Sequence, residues 1–273
     1  MLRAVRGGLI VHTVRVSRND TAETLPWMRA GTEHLLAVVE GIPDDELGVP
    51  SALPGWTRAH VVAHVARNAE ALVRLATWAR TGVETPMYPS PEARAAEIEE
   101  TSGRPPEVLR AELASTAREL DEALGALTPE HWEATIRNAQ GREIPATEIP
   151  FLRIREVWVH AADLGTGASL TDLPAGVVDL LLDDVAATLS GREGCPTLLL
   201  APTDRERVWQ LGDPGATPAP VASSPGESIP AESAPLGERE TTKAPAVDIV
   251  GWLTGRAPAS VLPGTPPELP RWL

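Results

Sequence analysis

A stretch whose polar side chains recur every fourth residue is the feature that most limits how this chain can fold. In Thr57-Arg58-Ala59-His60-Val61-Val62-Ala63-His64-Val65-Ala66-Arg67-Asn68, Thr57 is placed to cap a helix on which His60, His64 and Asn68 stack along one face. Far downstream, Arg155-Glu156-Val157-Trp158-Val159-His160 repeats the spacing with a carboxylate and an imidazole. Two helices that each present His or Glu in this way can converge on one divalent ion in a bundle core, where such sites are commonly built. The rest of the chain has to supply the bundle.

It offers the helices. Thr24-Leu25-Pro26 opens the first, about 24–41, with a capping hydroxyl and a proline, and Met28, Leu35, Val38 and Val39 keep a helical period until Gly41-Ile42-Pro43. The histidine helix spans about 57–82 on an apolar line of Val61, Val65, Leu72, Leu75 and Ala79. Residues 83–106 are punctuated by proline, with room for a short helix over Glu92 to Thr101. Leu109, Leu113, Ala117, Leu120 and Leu124 then face one way and Arg110, Glu112, Arg118 and Asp121 the other, a solvent-facing bundle helix over 106–127. Thr128-Pro129-Glu130 caps one more turn, a polar loop fills 138–148, and a last helix of about 150–164 ends at Gly165-Thr166-Gly167. The reading is a mainly α protein: a four-helix bundle over 22–167 preceded by a poorly ordered extension, 1–21.

After Gly167 the pattern changes. Leu173-Pro174 opens a helix carrying Val177, Val178, Leu181, Leu182 and Val185, and β-like runs follow at 197–201 and 208–211 around a turn at Pro202-Thr203-Asp204-Arg205. Residues 212–245 are rich in Pro, Ala, Ser, Gly and Glu, which bury too little apolar surface to offset the entropy of ordering, so a flexible insertion is expected there. A short helix returns over Ala246 to Leu253. Residues 168–273 therefore read as a small α+β domain.

Composition narrows the function. At 273 residues and 29.0 kDa the chain suits two domains. A net charge of −14 and a pI near 4.9 oppose a nucleic-acid partner, though local arginines can still hold a small anion. With Cys195 as its single cysteine the chain has no intramolecular disulfide and no Cys-rich metal site, which fits the cytoplasm. No apolar run approaches the roughly 18–20 residues a bilayer demands. Arg3, Arg6, Arg15 and Arg18 around Leu9-Ile10-Val11 do not make a secretory leader.

On the residues alone, several roles stay open. His60 is either a fourth ligand or a bystander beside the site. Asn68 and Asp163 either orient a ligand imidazole, face a substrate, or bond at a helix end. His34 and His131 have no companions and are expected at the surface.

Gly55-Trp56-Thr57-Arg58 with Ala63-His64-Val65-Ala66-Arg67-Asn68, followed by Arg155-Glu156, His160 and Asp163-Leu164-Gly165, resembles the mycothiol-dependent maleylpyruvate isomerase family within the DinB-like metalloenzyme bundles. The resemblance covers about 22–167 and extends more loosely into the second half, which resembles the family's sterol-carrier-like domain. It implies that His64, Glu156 and His160 bind one divalent metal, zinc by the family pattern, although such ligands also accept nickel or iron. It implies that Arg256 reaches the active-site cleft as a catalytic residue, where its guanidinium suits a carboxylate; Asn68, one turn beyond His64, is read as the cofactor-binding residue. The implied cosubstrate is mycothiol, the low-molecular-weight thiol of actinobacteria. The implied reaction adds its thiolate across the cis double bond of maleylpyruvate, lets the resulting single bond rotate, and expels the thiol to leave fumarylpyruvate. Three N/O ligands independently suggest a catalytic ion, since they leave a position open. Cys195, before Pro196 and beside an apolar run, cannot readily supply the thiol. A mycothiol S-transferase and a non-catalytic metal-binding regulatory module are the other readings.

Overall fold

The computed structural model describes residues 16–212 and 240–272. Helix α1, Thr21–Glu40, starts ahead of Thr24 because Asp20 is its cap: the Asp20 carboxylate accepts from the Ala22 amide at 3.1 Å. Thr24 instead turns inward, buried, and its hydroxyl donates to the Asp20 carbonyl at 2.8 Å. Helix α2, Arg58–Thr81, is capped by Thr57 and stops at Gly82, whose φ of 72° a side chain would oppose. Helix α3, Pro91–Ser102, is capped by Ser90 and fills the short helical stretch expected between prolines. Then come α4, Pro106–Gly125, and the single turn α5, Pro129–Trp132.

The polar loop expected near 138–148 is instead the turn and second strand of a β-hairpin. Strand β1, Thr135–Arg137, pairs antiparallel with β2, Glu143–Pro145, in register Ile136↔Ile144. Each strand buries one isoleucine between more exposed neighbours. That is too short a run to display alternation in the sequence. Helix α6, Ile149–Asp163, completes the bundle.

Helices α1, α2, α4 and α6 form a ring in which α2 packs along α4, α1 along α6, and α2 against α6. Their apolar stripes, among them Leu72, Leu75, Leu113 and Leu120, are almost fully buried. Each such side chain contributes about 1.5–3 kcal/mol. Gly31 lets α1 approach α6 closely, since a Cβ there would lie 2.4 Å from the Trp158 indole nitrogen, which donates to the Trp27 carbonyl at 3.0 Å.

The second unit contains α7, Ala175–Ser190, strands β3, Leu198–Leu200, β4, Trp209–Leu211, and β5, Thr241–Thr242, and helix α8, Ala246–Leu253. The sheet order is β4-β3-β5, with β3 antiparallel to β4 and parallel to β5. Leu198, Leu200, Trp209 and Leu211 are buried, α7 packs against β4 and α8, and the apolar core runs on continuously from the bundle. Residues 1–15 and 213–239, which hold most of the expected extension and insertion, lie outside the described residues. The stretch 240–245, assigned to that insertion from the sequence, carries β5 and the buried Ala244. Among the described residues no helix is long and apolar enough to cross a membrane.

Candidate metal centre

The packing of α2 against α6 brings the two i, i+4 patterns together. His64 Nε2 lies 2.9 Å from Glu156 Oε2 and 3.1 Å from His160 Nε2, and His160 Nε2 lies 3.3 Å from Glu156 Oε2. Around a tetrahedral centre with bonds of about 2.1 Å, neighbouring donors sit roughly 3.4 Å apart. Two imidazole nitrogens and one carboxylate oxygen at near this spacing, partly to fully buried, suit a divalent ion and leave a further position free.

Electrostatics favour ligand-ready forms at two of the three. Burial pushes the His64 imidazole below its ordinary value despite its bond to Glu156, which favours the neutral form a ligand needs. At Glu156 burial pushes upward, but the His160 and His64 hydrogen bonds win and hold the carboxyl well below the usual range. His160 runs the other way: burial lowers it, and the bonds to Asp163 and Glu156 outweigh burial and raise it. Metal binding there displaces a proton.

Asp163, one turn beyond His160 and 1% exposed, settles one of its open roles by accepting from His160 Nδ1 at 2.8 Å. A carboxylate in this position orients the imidazole and turns its Nε2 toward His64 and Glu156, as outer carboxylates do for histidines in metal sites. Arg256 donates to Asp163 in turn, Nε to Oδ1 at 3.2 Å and Nη2 to Oδ2 at 3.0 Å, while Nη1 bonds the Thr254 carbonyl at 2.8 Å. These contacts hold Asp163 ionised against its burial.

The structure separates His60 from the site. Its Nδ1 accepts from the Thr57 amide at 3.3 Å in a capping box, and its Nε2 is 3.2 Å from Glu99. Asn68 lines the cleft beside the triad, and its Oδ1 accepts from Arg153 Nη1 at 3.0 Å. Arg153 is fully buried and its guanidinium is pushed down to about 10 by desolvation. His131 caps α5, and His34 stacks on Trp158 with ring centroids 5.2 Å apart.

The triad opens into a cleft of 1220 Å³ walled by both units, with Trp56 and Tyr88 on the bundle side and Trp252, Arg256 and Trp272 on the other. Trp56 meets His64 edge-on at 5.4 Å, at the end of a loop pinned by the Ala52 amide donating to the Asp163 carbonyl at 2.9 Å. The Trp272 indole is flanked by Arg155 at 5.8 Å and Arg256 at 5.6 Å. The cleft also holds Arg94, to which no sequence signal points, and Arg155, which the motif contains without assigning it a role. Arg94 Nη2 lies 3.1 Å from His64 Nδ1, and Arg155 Nη1 lies 3.3 Å from Asp184. No spacing links Arg94 to the triad, so only the packing of α3 against α2 reveals it, whereas Arg155 stands next to Glu156 in the chain and only the fold reveals its ion pair with Asp184.

A four-helix bundle that turns two histidines and a glutamate into a cleft closed by a second unit defines a bundle protein with a candidate metal site. The family model of the mycothiol maleylpyruvate isomerase N-terminal domain matches residues 28–165. The crystal structure of the mycothiol-dependent maleylpyruvate isomerase is 32% identical, with a TM-score of 0.79 over 94% of this chain and 100% of that chain. A histidine-to-alanine mutant of that isomerase aligns with the same values. The chain belongs to the mycothiol-dependent maleylpyruvate isomerase family. YfiT from Bacillus subtilis, described as a probable metal-dependent hydrolase with an unusual four-helix bundle topology, is 20% identical with a TM-score of 0.46, over 55% of this chain and 86% of that chain. No curated protein matches the chain significantly.

Proposed function

We propose that this chain is a zinc- and mycothiol-dependent isomerase that converts maleylpyruvate to fumarylpyruvate, with His64, Glu156 and His160 as the metal ligands. The observation that carries the reading is the convergence of those three donors on a cleft large enough for a thiol and a substrate together, in a chain of this family. The ion and thiol, when bound, supply a nucleophile at neutral pH, because coordination deprotonates a thiol.

The chain's own residues hold and orient. Asp163 fixes the His160 ring. Arg256 is the catalytic residue of this reading: its contacts to Asp163 and Thr254 leave one N–H on each terminal nitrogen for a substrate carboxylate. Asn68, its carbonyl taken by Arg153, keeps its amide N–H groups for the thiol cofactor. Cys195 lies outside the cleft lining, burial pushes its thiol up, and its sulfur sits 3.7 Å from the Pro196 carbonyl, which supports a borrowed thiol. The partners in this reading are a small dicarboxylate and a low-molecular-weight thiol, and the compartment is the cytoplasm.

The test is an absorbance assay of maleylpyruvate on the metal-loaded chain with and without mycothiol. Isomerisation that requires both metal and thiol is expected. Metal-loaded protein that leaves maleylpyruvate unchanged, or that instead attaches the thiol to electrophiles, overturns the reading.

A further inference from the structure

Four arginines line the cleft, and they differ in what neutralises them. Arg256 is committed to Asp163, Arg155 to Asp184, and Arg271 is exposed at the rim. Arg94 is half-buried, and among the described residues no carboxylate lies within 4.0 Å of it. Its neighbours are the face of Tyr88, 5.6 Å from the ring centroid, and the outer nitrogen of His64 at 3.1 Å. A guanidinium lining a cleft with no carboxylate beside it is a ready partner for an anion. Because Arg94 touches His64, that anion would lie directly beside the metal triad.

The position is complementary to Arg256. Arg256 reaches the triad from the second unit through Asp163 and His160, whereas Arg94 reaches it from α3 through His64. A substrate with a carboxylate at each end and its reacting double bond between them has one anionic group for each side. A planar fork of N–H donors fits a carboxylate in two-pronged fashion. We infer that Arg94 binds a terminal carboxylate of the substrate and so selects dicarboxylates. This rests on the isomerase reading for the identity of the substrate, and on the geometry of Arg94 for the anion.

The experiment uses the full metal-loaded chain and its Arg94→Gln and Arg94→Lys variants. Maleate binding is measured by calorimetry without thiol, alongside metal per chain and the KM for maleylpyruvate with mycothiol. Loss of a charge-assisted pair corresponds to about 10–100-fold. Arg94→Gln is therefore expected to weaken maleate and raise KM by that factor with metal retained, Arg94→Lys to fall between, and the uncharged maleamide to bind all three alike. Arg94→Lys, which keeps charge and approximate size, supplies the answer if Arg94→Gln does not fold. Equal maleate affinity in wild type and variants, or no maleate binding by wild type, overturns the assignment. Turnover by a wild type whose KM is indifferent to Arg94 would overturn the anchor alone. Arg94-dependent maleate binding without thiol-dependent turnover would overturn the isomerase reading and leave the anchor in place.

Discussion

Arg256 and Asp163 are joined by a two-pronged ion pair, 3.2 and 3.0 Å, that ties the second unit to the helix bearing Glu156 and His160. Asp163 passes the connection to His160 at 2.8 Å, so a residue of the second unit helps to orient a proposed ligand of the bundle. Asp163→Asn keeps the shape and removes the charge. It should lower metal affinity by about 10–100-fold, the usual effect of losing such an outer carboxylate, as read by chelator competition. Unchanged affinity would reduce the pair to a structural tie.

The same pair has a pH signature in metal-free protein. Asp163 sits below its ordinary 3.8 because the His160 and Arg256 contacts overcome its burial. A carboxyl depressed in the folded state contributes stability that is full above its unfolded value and is lost as pH falls through the folded one. Denaturant titrations should show wild type more stable than Asp163→Asn at neutral pH, with the gap narrowing below about pH 4.

His60 and His64 lie one turn apart on α2 but belong to different structures, a helix cap and the candidate metal site. His60→Ala should leave metal content near that of wild type and cost at most about 1 kcal/mol, the scale of a capping interaction. His64→Ala should lose the metal. A His60→Ala protein without metal would contradict this division.

Cys195→Ser should leave thiol-dependent turnover within about twofold of wild type, because Cys195 does not line the cleft and the exchange keeps its size. Loss of activity in that variant would mean the chain provides its own nucleophile.

Gly31→Ala tests the packing that places α6. The added methyl would collide with Trp158 and Val157, and the cost expected from overpacking is about 1–3 kcal/mol in a denaturant melt. An unchanged midpoint would show that α1 can shift without consequence.

Much of this architecture is legible in the residues because the bundle helices are long and amphipathic and because His64, Glu156 and His160 carry helical spacing. What escapes is what packing alone decides. The β1–β2 hairpin buries one isoleucine per strand, below the length at which a period can be seen. The start of α1 turns on whether Asp20 or Thr24 caps it, and both are competent caps. Asp163 and Arg256 meet from 93 positions apart, and Arg94 meets His64 only because α3 lies against α2.

The most direct measurement is metal per chain in purified wild type and in the Glu156→Ala, His160→Ala double variant. The account predicts about one ion per chain for wild type and far less than one for the variant, as befits a three-ligand site stripped of two ligands. Equal metal in both, or none in wild type, would contradict it.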